Sequence, residues 1–113
     1  KHPDVTALFG VNDQIAIAAM QAAQSLGRRV PDDLAVIGFD DIELARHVSP
    51  AVTTMRVDKV GMGRLAVQLI QNRLEFPDSE RVVAVLKPRL VERESAGGIH
   101  ATESLPARSA DPA

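Results

Sequence analysis

"ALFGVNDQIAIAAMQAAQSLGRRVPDDLAVIGFDD", residues Ala7 to Asp41, decides the fold. The apolar run Val5 to Phe9 that leads into it reads as a short buried strand, and Gly10 to Asp13 reads as a turn. Gln14 to Leu26 reads as a helix, with Asn12 or Asp13 as its N-cap and Gly27 as its stop. Val30-Pro31-Asp32-Asp33 is a second turn. Leu34 to Gly38 is a continuous apolar run, the pattern of a strand covered on both faces. Strand, helix and strand within roughly 35 residues make a βαβ unit, and such units are right-handed.

The helix carries more apolar surface than one sheet requires. Gln14, Gln21, Gln24 and Ser25 share a stripe about 100° wide. Ile15, Ala16, Ile17, Ala18, Ala19, Met20, Ala22, Ala23 and Leu26 occupy nearly all the rest. A second buried side is therefore expected, against another helix or another subunit, and the small alanines would permit a close approach.

Downstream, Ile42 to His47 reads as a helical turn stopped by Ser49-Pro50, and Ala51 to Met55 as extended chain. Asp58 can cap a second long helix, Lys59 to Leu74. Val60, Met62, Leu65, Ala66, Leu69, Ile70 and Leu74 mark its apolar side. Gly61 and Gly63 lower its intrinsic stability, which points to close backbone packing there. Phe76 to Ser79 breaks the helix. Arg81 to Leu86 reads as a strand, and Arg89 to Arg93 as a second extended piece after Pro88. Residues 97–113 lose all periodicity and read as a disordered tail. The inventory is α/β but short of strands. Missing strands, from upstream sequence or from a partner, would complete the sheet, and a start at Lys1 in the middle of a fold suggests a fragment.

Composition narrows the function. The chain has 113 residues, 45% apolar and 25% charged, with a net charge of −2. That is an ordinary globular composition and a poor one for a nucleic-acid surface, which needs clustered Lys and Arg. No cysteine is present, which removes disulfides and thiolate zinc sites and suits a reducing cytoplasm. No apolar run approaches the roughly 18 residues of a membrane span. His2, His47 and His100 lie far apart, so no metal-ligand spacing emerges. No phosphate-cradling loop is present, and His47 and Ser49 lack a nucleophile elbow, so no catalytic residue is assigned. Three Phe and no Trp or Tyr offer no stacking platform. The basic run Lys87 to Arg89 reads as a solvated face.

Two acidic positions stand out. Asp13 and Asp40 each follow the carboxyl end of a strand in one βαβ unit, where open α/β sheets form their ligand crevice. A carboxylate fixed there accepts charge-assisted hydrogen bonds from hydroxyls or amines. The plainer readings are a helix cap for Asp13 and a solvated strand end or hinge contact for Asp40 and Asp41.

Four stretches fall into one order: Ala7 to Asp41, "SPAVTTMRVD" (Ser49 to Asp58), "GMGRLAVQLI" (Gly61 to Ile70) and "LKPRLVERESAG" (Leu86 to Gly97). Together they resemble the C-terminal part of the effector-binding domain of LacI/GalR-family transcription regulators, over about residues 5–97. The closing P-x-L-V-x-R-x-S pattern resembles the regulators more than their periplasmic sugar-binding cousins, which remain the alternative.

The resemblance implies a periplasmic-binding-protein-like, bilobed α/β domain, here incomplete. Residues 1–96 would be its C-terminal fragment. Residues 5–52 and 81–95 would lie in the C-terminal lobe, with a crossover starting at Thr53-Thr54 and the helix within 56–76 in the N-terminal lobe. The helix-turn-helix that binds operator DNA would lie outside this chain. The ligand implied is a small sugar or sugar derivative, with no cofactor. Its contacts would come from Asp13, as the effector-binding carboxylate, with Asn12, Asp40, Val57, Asp58 and Lys59. Lys59 would favour an anionic effector. The first helix would pack between subunits of a homodimer through Ala16, Ile17, Met20 and Ala23. Effector binding would act allosterically on the DNA-binding heads of a cytoplasmic regulator.

Overall fold

The computed structural model of the chain describes His2 and residues 4–97. Apart from Gly97, the expected tail lies outside the described residues. Strand β1 (Ala7–Phe9) leads through Gly10 into helix α1 (Asp13–Ser25), and β2 (Ala35–Phe39) follows. A 3-10 turn at Glu43–Arg46 precedes β3 (Thr53–Arg56), then come α2 (Lys59–Glu75), β4 (Arg89–Val91) and a last 3-10 turn at Glu94–Ala96. The strands form one sheet in the order β1-β2-β3-β4. The first three run parallel, with Ala7 opposite Ala35 and Ile37 opposite Thr53; β4 is antiparallel, with Val91 opposite Thr54.

Local signals explain the boundaries of α1. Asn12 is extended and its side chain accepts the Ile15 N–H at 2.9 Å, so Asn12 is the cap and Asp13 the first helical residue. Past the end, Gly27 sits at φ 80, and the Arg28 N–H bonds the Ala23 carbonyl at 3.0 Å. That is the glycine stop expected of a left-handed residue after a helix. Between them Ala16, Ile17, Met20 and Ala23 face the sheet. With Leu34, Val36, Ala45 and Val52 they form the core. Fully burying a side chain of the Met or Val kind contributes about 1.5–3 kcal/mol.

The sheet departs from the expected one. Thr53 to Arg56 is a third parallel strand bonded to β2, so the chain leaves this sheet after Arg56 and not at Thr53-Thr54. Arg81 to Leu86 forms no strand, and the partner of Arg89–Val91 is β3 instead. The reason is hydrogen bonding. A strand needs a neighbour for its N–H and C=O groups, and among the described residues nothing pairs with Arg81 to Leu86. Helix α2 forms without such help because its backbone bonds are internal. The Asp58 side chain caps it by accepting the Gly61 N–H at 2.9 Å, yet none of its residues is buried. A Cβ on Gly63 would meet open space, so the close packing expected there is absent, and one on Gly61 would strike the capping carboxylate of Asp58.

Candidate functional site

Three parallel strands bring their carboxyl ends to one edge of the sheet. Asp13, Asp40, Asp41 and the Arg56–Lys59 stretch all lie there, and the two candidate acceptors meet opposite fates.

Asp13 is fully buried. One oxygen accepts the Ile42 N–H at 2.9 Å, and the other accepts the Thr54 hydroxyl at 2.5 Å. Only glycine fits beneath it, since a Cβ on Gly38 would fall on the carboxylate. Asp13 therefore clasps the start of α1, the exit of β2 and the middle of β3. Asp13, the expected effector-binding carboxylate, is thus buried in this chain with one internal partner on each oxygen.

Asp40 is the reverse case. It stands at φ 107, a backbone conformation that L-residues rarely adopt. Its N–H is bonded to the Met55 carbonyl at 2.8 Å, while no described residue engages its half-buried carboxylate. A residue held in such a region costs on the order of 1–3 kcal/mol and persists only where its surroundings enforce it. Here the enforcement comes from its neighbour.

The side chain of Asp41 is only 3% exposed and accepts Arg93 Nη2 at 2.5 Å and Arg56 Nε at 2.6 Å, with Arg46 at 3.8 Å. Burial works against its charge, but the hydrogen bonds from Arg93 and Arg56 prevail and hold the carboxyl below its ordinary range. Arg93 also donates to the Val52 carbonyl at 2.9 Å, and its N–H bonds Thr53 Oγ1 at 2.9 Å. Two residues on, the Ser95 hydroxyl donates to the Val36 carbonyl at 2.6 Å and accepts the Thr53 N–H at 2.8 Å. The R-x-S ending of the sequence thus ties the C-terminal segment across β2 and β3. Sequence reasoning missed Thr54, Arg56, Arg93 and Ser95. The available signal was polar residues set inside apolar runs, since buried polar groups must find partners.

Asp40, Val57, Asp58 and Lys59 come together on an open cleft of about 380 Å³. Asn12 lies at the same sheet edge but does not line that cleft; its oxygen is used in capping and its amide N–H₂ is taken by no described residue. The four residues expected at a subunit interface do not present themselves. Ala16, Ile17, Met20 and Ala23 are buried within this one chain, so that assignment is corrected. They are the sheet-facing stripe of α1; its uncovered apolar side carries Ile15, at 50% exposure, with Ala18, Ala22 and Leu26.

Residues 1–96 match the family described as periplasmic binding protein-like domain. The chain belongs to that family. Among curated relatives, the ribose operon repressor of Haemophilus influenzae is 44% identical over 90 residues, which is 80% of this chain and 27% of that protein. The chain thus spans about a quarter of the length of the curated relatives it matches. Among solved structures, the transcriptional regulator CelR–cellobiose complex superposes with a TM-score of 0.78 at 38% identity, covering 83% of this chain and 29% of that one. The lac repressor dimer bound to operator and the anti-inducer ONPF gives 0.74 at 32% identity, covering 81% and 28%. The relatives are named transcriptional repressors and several of the neighbours LacI-family regulators, so this periplasmic-binding-protein-like chain is part of an effector-binding domain, as the sequence resemblance implied. The relatives are transcriptional repressors and not enzymes. Among the described residues no helix is long and apolar enough to cross a membrane, and no three metal-ligating side chains gather.

Proposed function

We propose that this chain is the C-terminal part of the sensor of a LacI-family transcription regulator, and that its effector is a hydroxyl-rich, sugar-like molecule held at the carboxyl ends of β1, β2 and β3. The observation that carries the reading is Asp40: a carboxylate without a described partner, fixed at φ 107 on the wall of the cleft. A preset acceptor binds a hydroxyl without first breaking an internal bond, and charge-assisted bonds are the strong ones. Val57, Asp58 and Lys59 supply the facing wall, and the Asn12 amide is a further donor at the same edge. The α2 helix belongs to the opposite lobe in this reading, so effector bound against Val57 to Lys59 bears on the angle between lobes. Operator DNA is reached through a segment outside this chain, in a homodimer, in the cytoplasm. A transport-type binding protein is disfavoured because the relatives are repressors.

The test uses the full-length regulator. Asp40→Asn should weaken effector affinity at least about tenfold by calorimetry, the loss of one charged hydrogen bond. It should also raise the effector concentration needed to change operator binding. Effector affinity unchanged by Asp40→Asn would refute the role of Asp40. A full-length protein that binds no operator would refute the regulator reading.

A further inference from the structure

The cleft that holds Asp40 has an unbalanced lining. Five basic side chains, Arg46, Arg56, Lys59, Lys87 and Arg89, face three carboxylates, Asp40, Asp41 and Asp58. An excess of positive charge remains once internal pairs are set aside. Arg46 and Arg56 are spent on Asp41, which Arg93 also approaches from behind the wall. Asp58 caps the first turn of α2 through one oxygen and keeps its charge. Lys59, Lys87 and Arg89 have no ion pair or side-chain hydrogen bond among the described residues, and all three are exposed. Three unpaired cations thus share one cleft with the free carboxylate of Asp40 and the helix-capping one of Asp58, in a chain whose net charge is −2.

A neutral polyol would leave that excess unanswered. Like charges gathered on low-dielectric walls repel one another, and they focus a field that draws in an anion. Arg89 offers a planar fork suited to the paired oxygens of phosphate or carboxylate, and lysine offers a point charge. The run Lys87-Pro88-Arg89, a solvated face by sequence, is carried to the cleft because Arg89 pairs opposite Arg56 in the sheet.

Resting on the reading above, we propose that the effector is an anionic sugar: its hydroxyls meet Asp40, and a phosphate or carboxylate substituent is held by Lys59 and Arg89, with Lys87 at the rim.

The experiment is calorimetry on the full-length protein with matched probes: ribose against ribose 5-phosphate, glucose against glucose 6-phosphate and glucuronate, and inorganic phosphate alone. An anionic member should bind about tenfold or more tightly than its neutral parent, and the preference should shrink as salt rises. Phosphate and carboxylate are separated by glucose 6-phosphate against glucuronate. Lys59→Gln and Arg89→Gln should each weaken the anionic probe by about tenfold more than the neutral parent. Lys87→Gln should do so less. All three side chains are exposed, so the variants should melt with the parent protein. Neutral sugars binding as tightly as anionic ones, or an anion preference that survives both Lys59→Gln and Arg89→Gln, would overturn the proposal. In that case a neutral sugar still sensitive to Asp40→Asn would leave the sensor reading standing. If no probe binds, the anionic-sugar proposal falls, and operator binding by the full-length protein still decides the regulator reading.

Discussion

Two regions of this chain are built by different physics. The β1-α1-β2-β3 unit with its C-terminal strap holds the whole buried core, together with Asp13, Thr53, Thr54 and Ser95 as buried polar groups. Helix α2 and the run after it hold none of it; Val83 is 77% and Val85 83% exposed. Yet α2 is a regular helix of 17 residues, while the β-rich Arg81 to Leu86 is irregular. A capped helix satisfies its backbone from its own residues, whereas a strand waits for a neighbour. The second region shows what local sequence does alone, and the first shows what tertiary contacts add.

The comparison breaks most visibly at the Asp41 clasp. Asp41→Asn should destabilise the sheet unit by about 3–5 kcal/mol, because it leaves the partly buried Arg93, 14% exposed, without its counter-charge. Urea unfolding of the chain measures this, and a loss under about 1 kcal/mol would mean the clasp is ornamental. The same group sets a pH limit. Its folded pKa is depressed, so its contribution is complete above the unfolded value of about 3.9 and is lost as pH falls through the folded value. Asp33 acts in the same direction: hydrogen bonds from the Arg29 side chain and backbone lower it to about 2. Stability should therefore decline between about pH 4 and pH 2, and Asp41→Asn should flatten that decline.

Core truncation comes next. Met20→Ala should cost about 2–5 kcal/mol. Ile70→Ala on α2 should stay within about 0.5 kcal/mol in this chain, the usual range for exposed positions. Equal losses by urea titration would show that α2 packs after all.

Asp40→Gly should raise stability by about 1 kcal/mol, since glycine accepts positive φ without strain. The same change should remove the effector response of the full-length protein. A destabilised Asp40→Gly would deny the strain. The smallest effect belongs to Gly63→Ala, which meets open space. It should stabilise α2 by about 0.5–1 kcal/mol, read as a gain in helicity by circular dichroism.

Much of this was legible beforehand wherever a residue acts on its own neighbours. Asn12, Gly27 and Asp58 mark helix ends by local geometry, and Asp58 does so in the helix that packs on almost nothing. The apolar run before Gly38 announced a central strand. The site was only half legible. Asp40, Val57, Asp58 and Lys59 meet at the cleft, but Asp13 and Asp40 look alike in sequence, each an acid after a strand. Their roles separate only in space. Gly38 leaves room for one carboxylate over the sheet, and Thr54, 41 residues away in the chain, closes on it. In the same way the width of the apolar surface on α1 was visible, but which stripe the sheet would take was not.

The sequence by itself determined the βαβ order, the helix caps and the family resemblance, because these rest on spacing and on bonds between residues a few places apart. Only the tertiary structure decided which aspartate is buried with internal partners and which has none among the described residues, that Arg93 and Ser95 lock β2 to β3, and that Arg89 reaches the cleft. Those outcomes depend on partners brought together from distant parts of the chain, and a hydrogen bond or ion pair leaves no mark in sequence until its second half is in place.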